Sequence, residues 1–196
     1  MNCSILIATY GDQAWEDLAW SRAWPSARDQ EPAELLCFHD PEGTIASVRD
    51  ELGSTAKGDW LCFLDADDEL APGFLDAMAR AFEQERLDGD LLLTPSRNHR
   101  GVFGPEKPIS EGNWLCIGTL VPRRLFIEVG GFPDYPYGWE DWALWVKCVQ
   151  AGARIVKVPD ALYRAHRSRR LHKERWRQDP RWQSETHARI AAELGI

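Results

Sequence analysis

The chain has 196 residues, a length that fits one domain or a compact pair and suffices to bury a sizeable hydrophobic core. With 44% hydrophobic and 28% charged residues, its composition is that of an ordinary globular protein and excludes extensive disorder. The net charge of -8 excludes a chain that is basic throughout. The charge is nevertheless uneven: residues 163–181 contain seven Arg and one Lys against Glu174 and Asp179, a net charge of +6, so the rest of the chain carries -14.

Neither a leader nor a membrane-spanning segment is predicted. The first residues, MNCSILIATYGD, carry no positive charge ahead of a short apolar stretch, unlike a signal peptide. No run approaches the ~20 apolar residues that cross a bilayer. The five cysteines are an odd set without CxxC spacing, and each lies in or beside an apolar run. We therefore predict buried free thiols and a cytoplasmic location, and the cysteine spacing does not favour a zinc site.

Short apolar runs alternate with helical patterns in the first half of the chain, which is typical of strand-helix-strand units and a mostly parallel sheet. The predicted strands are 3–8, 34–38, 60–64 and 90–94. The predicted helices are 12–24, 43–56 and 72–87, and the last of these has Pro72 in its first turn and Gly89 just past its end.

The second half begins with a loop rich in Pro and Gly, after which the apolar run 114–122, WLCIGTLVP, is predicted to form another strand of the same sheet. A short helix at 123–129, a Gly/Pro/Tyr loop and a strong helix at 139–151 follow. The segment 153–166 is predicted to be extended. The tail after Ser168 is predicted to be helical and basic.

The stretch FLDADDEL, residues 63–70, ends an apolar run with four carboxylates within five positions. Ligands of doubly wound sheets bind beyond the carboxyl ends of the strands, and Asp65 is predicted to lie at such an end. Asp-x-Asp on a rigid strand offers hard oxygen ligands to Mg²⁺ or Mn²⁺ carrying a nucleotide diphosphate, and the cation would offset the repulsion. The simpler alternative is that Asp67 or Asp68 only caps the helix near Pro72.

Two other kinds of acidic site fit this stretch less well. An EF-hand loop starting at Asp65 would need Gly at its sixth position, where Leu70 stands. An enzyme that forms an aspartyl phosphate would have Thr closely after the second Asp, whereas Asp68 and Glu69 follow here.

The helix GWEDWALWVKCVQAG carries a second informative acid. At helical spacing Asp141 shares one face with the apolar residues Leu144, Trp145 and Cys148, so it is expected to point inward. Backbone N–H groups of the first turn favour its ionised form and burial opposes it, which leaves a carboxylate able to accept a proton from a hydroxyl. The alternative is that Glu140 and Asp141 simply cap the helix.

Aromatic residues surround this acid in the sequence. They could stack on sugar rings or pack into the core, and the pattern leaves both open: Tyr135, Tyr137, Trp139 and Trp142.

In chain order these stretches resemble the family 2 glycosyltransferases, the large inverting group with the GT-A fold. LIATYGD resembles the family's first strand and turn, and ELLCFHD its second strand, which ends in an Asp that touches the donor's uracil. ASVRDELGSTAKGDWLCFLDADD resembles the stretch that ends in the metal-binding acids. GGFPDYPYGWEDWALWVKCVQAG and YRAHRS resemble the later block with the Glu-Asp pair and the strand and His that follow it. The resemblance covers roughly residues 1–168.

The resemblance implies roles for individual residues. Asp65 would contact the nucleotide ribose or the metal, Asp67 would bind the metal on the diphosphate, and His166 is a further candidate metal ligand. Asp141 would be the general base and Glu140 would help to hold the acceptor. Donor contacts are implied for Thr9, Tyr10, Asp40, Arg49, Asp65 and Arg164, and acceptor contacts for Trp139, Glu140 and Trp142.

We therefore predict an α/β protein with a mostly parallel GT-A sheet flanked by helices. Residues 1–168 would form the glycosyltransferase domain, with a nucleotide-sugar-binding half at 1–95 and an acceptor half at 96–168, and residues 169–196 a basic helical tail. With Asp65 and Asp67 assigned to the donor and metal, Asp68 and Glu69 are expected to cap or flank the helix near Pro72.

The predicted activity is metal-dependent, inverting transfer of a sugar from a nucleotide-diphosphate sugar, with a UDP-sugar favoured, to a hydroxyl group, using Mn²⁺ or Mg²⁺. The acceptor stays open among a glycan, a modified nucleic acid, a protein and a lipid carrier. The basic tail either meets a polyanion such as nucleic acid or pairs with the acidic body of its own chain. The alternative function is a non-catalytic module of the same fold that binds a nucleotide-sugar or nucleic acid.

Overall fold

The computed structural model describes residues 1–85, 89–97, 107–135, 138–166 and 180–196. The strands are β1 (Cys3–Tyr10), β2 (Glu34–Asp40), β3 (Trp60–Asp65), β4 (Glu69–Leu70), β5 (Leu91–Arg97), β6 (Val121–Pro122) and β7 (Arg154–Arg164). The α-helices are α1 (Ala14–Leu18), α2 (Trp24–Arg28), α3 (Ile45–Thr55), α4 (Phe74–Glu85), α5 (Arg123–Glu128), α6 (Glu140–Gln150) and α7 (Pro180–Leu194). A π-helical turn, Ala19–Ala23, joins α1 to α2, and a 3₁₀ turn spans Ile109–Glu111.

The strands form two sheets, with the orders β2-β1-β3-β6 and β4-β7-β5. β1 pairs in parallel with β2 and β3, and β5 pairs in parallel with β7, whereas β4 and β6 are short antiparallel strands. Leu120 connects the sheets, because its backbone N–H and C=O both bond to Leu93 of β5 while the next residue, Val121, pairs with β3. The predicted α/β architecture with a mostly parallel sheet is therefore confirmed.

The central strands explain why apolar residues run continuously in the sequence instead of alternating. β1 and β3 are buried along nearly their whole length, as expected of parallel strands covered on both faces. β1, β2 and β3 each extend one or two residues beyond the predicted ends, to Tyr10, Asp40 and Asp65. In the paired register Tyr10 lies beside Asp40 and Ala8 beside Asp65, so the carboxyl ends of three strands meet at one edge.

The predicted strand at 114–122 is wrong for most of its length. Only Val121 and Pro122 form a strand, and residues 115–119 are buried without regular pairing. The apolar run reflects packing: Gly118 lies so close to the Tyr163 ring that a Cβ would collide with it, and the Thr119 hydroxyl donates to Thr94 at 3.0 Å. Periodicity cannot separate a buried strand from a buried irregular segment.

The helix predicted at 12–24 continues to Arg28 and contains the π turn. Pro25 lies two residues after this turn and has no N–H to donate to the carbonyl of Ser21, which accounts for the irregular turn at this point. Prediction and structure agree better for α3, whose first turn is fixed by reciprocal hydrogen bonds between Thr44 and Ser47.

The C-terminal helix α7 packs on α6. Ile190 is buried, Gln150 donates its side-chain amide to the Leu194 carbonyl at 2.8 Å, and the His187 ring stacks on Trp142 at 4.2 Å. The helix itself contains two Arg and two Glu, so its charges cancel. Residues 167–179, which include most of the Lys and Arg residues of the predicted basic tail, lie outside the described residues, and the tail's binding role stays a prediction.

The five cysteines are free thiols, four buried and one, Cys37, half-buried. Among the described residues, no helix combines the length and apolar character that a membrane crossing requires.

Candidate active site

Three carboxylates gather where β3 ends. Asp65 is the last residue of the strand, and Asp67 and Asp68 follow in a tight turn closed by the Asp68 N–H on the Asp65 carbonyl at 3.0 Å. Each acid offers an oxygen, and the three oxygens lie within 4.8 Å of one another. Asp67 and Asp68 are buried and Asp65 is half-buried. A group of hard oxygen donors at this spacing suits a divalent cation such as Mg²⁺ or Mn²⁺.

Residues from distant elements hold this turn. Arg22, in the π turn, donates to the Asp67 carbonyl at 2.9 Å. The buried Tyr163 of β7 bridges two of the acids, because its hydroxyl accepts from the Asp65 backbone N–H at 3.3 Å and donates to the Asp68 carboxylate. Burial, and next the charge of Asp65, raise the pKa of Asp68 to about 7. Mutual repulsion of the negative charges therefore disfavours this arrangement of the acids, and a bound cation would offset that repulsion.

Asp68 and Glu69 were expected to cap or flank the helix near Pro72, and neither acid caps it. The helix begins at Phe74, and β4 separates it from the acidic turn. Asp68 accepts the His166 backbone N–H at 2.6 Å, and the Glu69 carboxylate meets the His166 ring Nε2 at 2.6 Å. The side chains of these two acids therefore bind His166, just after the end of β7. The His166 ring lies against Glu69 and is not part of the group formed by the three Asp residues.

Arg49 connects the acidic turn to the second predicted acid pair. This residue of α3 is buried, and its two terminal nitrogens reach different carboxylates: Nη2 bonds Asp65 at 2.7 Å and Nη1 bonds Glu140 at 2.6 Å. Its guanidinium also lies over the Phe132 ring, 5.2 Å from the centroid. The resemblance implied a donor contact for Arg49, and the structure adds an ion pair with Glu140, which lies 91 residues further along the chain.

Asp141 lies in the first turn of α6, half-buried, next to the Glu140 of this ion pair. Its Oδ1 accepts the Trp142 backbone N–H at 2.7 Å, and its Oδ2 accepts the side-chain amide of Asn113 at 2.9 Å. Burial, then the neighbouring Glu140 charge, raise its pKa, and Arg49 with the two hydrogen bonds limits the rise to about 6. Asp141 is therefore mainly ionised at neutral pH and more basic than an ordinary aspartate.

The two tryptophans predicted to contact the acceptor have different environments. Trp139 is half-buried, adopts a left-handed backbone conformation with φ of 69° and lies immediately before α6. Trp142 is fully buried, donates its indole N–H to the Ile109 carbonyl at 2.6 Å and is covered by His187. A sugar cannot stack on Trp142 in this conformation, because the residue is part of the core. Tyr137 lies outside the described residues.

Of the remaining predicted donor residues, three lie at the edge where β1 and β2 end and one lies in the second sheet. Thr9 is buried with its hydroxyl 3.0 Å from His39 Nδ1, and Tyr10 is exposed at the end of β1. The Asp40 carboxylate accepts the Glu42 backbone N–H at 3.0 Å in the turn after β2. The half-buried Arg164 pairs through its backbone with Glu69, beside the acidic turn.

Three contributors to this arrangement were not predicted from the sequence. Asp68 was assigned to a helix cap because an acid shortly before a helix is typical of one. Tyr163 resembled any aromatic residue in a strand, and Asn113 lies in a loop with no motif around it. A sequence signal existed only for Asp68, whose place next to Asp67 was already part of the acidic run.

Solved structures resemble this fold. The Staphylococcus aureus TarS fragment 1–349 in complex with UDP aligns over 99% of this chain and 65% of its own, with 18% identity and a TM-score of 0.69. The same fragment with UDP-GlcNAc aligns over 85% and 59%, with 19% identity and a TM-score of 0.66. The mannosyltransferase PcManGT from Pyrobaculum calidifontis, in complex with GDP-Man and Mn²⁺, gives 87% and 58%, 14% identity and 0.57.

These similarities confirm the predicted GT-A fold, and the chain spans less than two thirds of the length of each of these structures. No curated protein matches the chain significantly. The model of the family described as glycosyl transferase family 2 matches residues 29–133, which is more than half of the chain and includes the acidic turn and Arg49. The chain therefore belongs to glycosyl transferase family 2.

Proposed function

We propose that this protein is a metal-dependent, inverting glycosyltransferase that moves a sugar from a nucleotide-diphosphate sugar to a hydroxyl group. The observation that carries the proposal is the buried Arg49, which joins Asp65 of the acidic turn to Glu140 beside Asp141. Through this bridge a candidate cation site and a candidate base are held in one rigid arrangement at the sheet edge where ligands of such folds bind. Family membership supports the same reaction class.

In the proposed reaction Asp141 accepts the proton of the acceptor hydroxyl. The acceptor oxygen forms a bond to the anomeric carbon as the bond from that carbon to the diphosphate oxygen breaks, and the nucleoside diphosphate leaves with the electron pair. Attack opposite the leaving group inverts the anomeric centre. The raised pKa of Asp141 suits this task, because a base works best when its pKa approaches the working pH.

The acidic turn supports the metal dependence. Asp65, Asp67 and Asp68 would hold the cation, and their oxygens fit Mn²⁺ or Mg²⁺ in type and spacing. A divalent cation there would offset the negative charge of the diphosphate. A neighbour of the same fold was solved with Mn²⁺ and GDP-Man, which supports this choice of ion. His166 is the weaker candidate ligand, since its ring bonds Glu69.

The donor is proposed to be a UDP-sugar, because a neighbour of the same fold was solved with UDP-GlcNAc and Asp40 lies at the end of β2 where the family resemblance expects a uracil contact. Thr9 and Tyr10 at the same edge, and Arg164 in the second sheet beside the acidic turn, remain proposed donor contacts. On the acceptor side, Trp139 and the Glu140 carboxylate are the proposed contacts, and Glu140 already gives one oxygen to Arg49. The acceptor's identity stays open beyond its hydroxyl.

The halves 1–95 and 96–168 are proposed as donor and acceptor regions, although β5, Leu91–Arg97, crosses their boundary. A cytoplasmic location is proposed because all five cysteines are free thiols, as a reducing compartment would keep them.

The test uses the purified chain with Mn²⁺ and a panel of nucleotide sugars that includes UDP-GlcNAc and GDP-mannose, with water as a slow acceptor. We expect release of the nucleoside diphosphate from at least one donor, abolished by EDTA and restored by Mn²⁺. Donor binding without release would instead favour a non-catalytic binding module. Neither binding nor release across the panel, together with steeply salt-dependent binding to DNA, would favour a nucleic-acid module.

A further inference from the structure

The loop before β6 contributes one side chain to the candidate base. Asn113 lies in an irregular segment, 28 residues before Asp141, and its Nδ2 is 2.9 Å from Asp141 Oδ2. The orientation of its amide group is fixed independently, because its Oδ1 accepts the Leu115 backbone N–H at 3.1 Å and an N–H can donate only to the oxygen. The nitrogen is therefore the atom that faces Asp141.

Both oxygens of the Asp141 carboxylate are held in this way. The Trp142 backbone N–H fixes Oδ1 from within α6, and Asn113 fixes Oδ2 from outside the helix. Each oxygen keeps a second acceptor position, so a substrate proton can still reach the carboxylate. An aspartate side chain held at one oxygen alone could rotate about its χ2 bond, and this torsion has a broad energy profile.

We propose that Asn113 is a positioning residue, which fixes the orientation of the Asp141 carboxylate for proton transfer from the acceptor. The role rests on the proposed function, since it presumes that Asp141 is the base. A hydrogen bond to a carboxylate also favours its ionised form, so Asn113 lowers the pKa of Asp141 against the effects of burial and of Glu140. Asn113 touches the base and, in this proposal, does not touch the reacting atoms.

The substitution Asn113→Ala removes the hydrogen-bond donor. Asn113→Asp keeps the size of the side chain and the oxygen that accepts from Leu115, but it places a second carboxylate where the amide N–H donor stood. A matched control is Asn2→Ala, because Asn2 makes the same kind of amide-to-carboxylate bond, to Asp59 at 3.1 Å, on the exposed surface. Charged or titratable groups that lie on the elements around Asp141 are unchanged in these variants: Glu140, Arg49, His187, Lys107 and Glu111.

The first measurement needs no substrate. The side-chain carboxyl of Asp141 is titrated by ¹³C NMR, with its signal identified by its loss in Asp141→Asn. Asn113→Ala should raise the pKa of Asp141 by about one unit, Asn113→Asp should raise it further, and Asn2→Ala should leave it unchanged. An Asp141 pKa in Asn113→Ala equal to that of the unsubstituted protein would overturn the proposal.

The second measurement is the pH dependence of nucleoside diphosphate release from UDP-GlcNAc or GDP-mannose with Mn²⁺. In Asn113→Ala we expect kcat to fall about tenfold or more with an unchanged donor KM, and the acidic limb of the kcat profile to move to higher pH with the NMR value. A lower kcat without movement of the limb is the result of a merely structural role and overturns the proposal. Failure of the unsubstituted protein to release any product counts against the proposed function, while the NMR titration still decides the Asn113 bond.

Discussion

The substitution Arg49→Met removes the cation between Asp65 and Glu140 while it keeps an unbranched apolar side chain of comparable length. The ion pair with Glu140 is buried, since the Arg49 and Glu140 side chains are 6% and 11% exposed. Removing one partner of such a pair typically costs about 3–5 kcal/mol. Loss of the ion pair with Asp65 adds about 0–1 kcal/mol, because that carboxylate is 39% exposed and water screens its charge. We expect the free energy of unfolding to fall by about 3–6 kcal/mol in urea titrations followed by tryptophan fluorescence.

The cause of this loss can be separated from the loss of packing. If an uncompensated buried charge on Glu140 carries the penalty, adding Glu140→Gln to Arg49→Met should recover stability instead of adding a second loss. Arg28→Met is the control, since its ion pair with Asp29 is 66% and 64% exposed and should change stability by no more than about 0.5 kcal/mol. A loss below about 1 kcal/mol for Arg49→Met, or strictly additive losses in the double variant, would refute the argument.

Three further predictions address the site. Asp141→Asn should lower kcat by about 10²–10⁴-fold and leave donor affinity unchanged in calorimetry. The kcat of the unsubstituted protein should fall with each pH step below about 6, because the protonated carboxyl cannot accept a proton. A kcat that does not change with pH contradicts this role. Mn²⁺ should raise the Tm, and Asp67→Asn should abolish the rise whereas Asp59→Asn, at an exposed acid just before β3, should not. Trp142→Ala should lower the free energy of unfolding by about 3–5 kcal/mol and Trp139→Ala by much less; equal small losses would show that Trp142 is not a core residue.

The sequence predicted those features that depend on local pattern. Continuous apolar runs identified β1 and β3, since parallel strands buried on both faces need no alternation. The position of Asp65 at a strand end then followed from one such run and a general rule about where ligands bind. The inward face of α6 followed from helical spacing, and Asp141 is indeed half-buried there.

Features that depend on distant segments could not be predicted in the same way. The role of Asp68 was misjudged because an acid at this point of the chain can either cap a helix or bind a cation. Capping is ruled out by β4, a strand of only two residues that lies between the acidic turn and the helix. For Trp142 the sequence left both stacking on a sugar and core packing open, and the family resemblance implied an acceptor contact, because nothing in the sequence shows that His187, 45 residues later, covers the ring. Asn113 and Tyr163 have no motif of their own, so their roles follow from tertiary contacts alone.

Arg49 shows how a correct motif match can still understate a residue. The family resemblance treats its side chain as a donor contact, but both terminal nitrogens are already occupied by carboxylates on two different elements. A substitution at this position must therefore change the stability of the fold and the placement of Asp65 and Glu140 together. A lower rate in an Arg49 variant is therefore no measure of a donor contact unless the free energy of unfolding is measured on the same protein. The effect on donor binding can be measured separately in the Glu140→Gln background, because the buried charge is absent there.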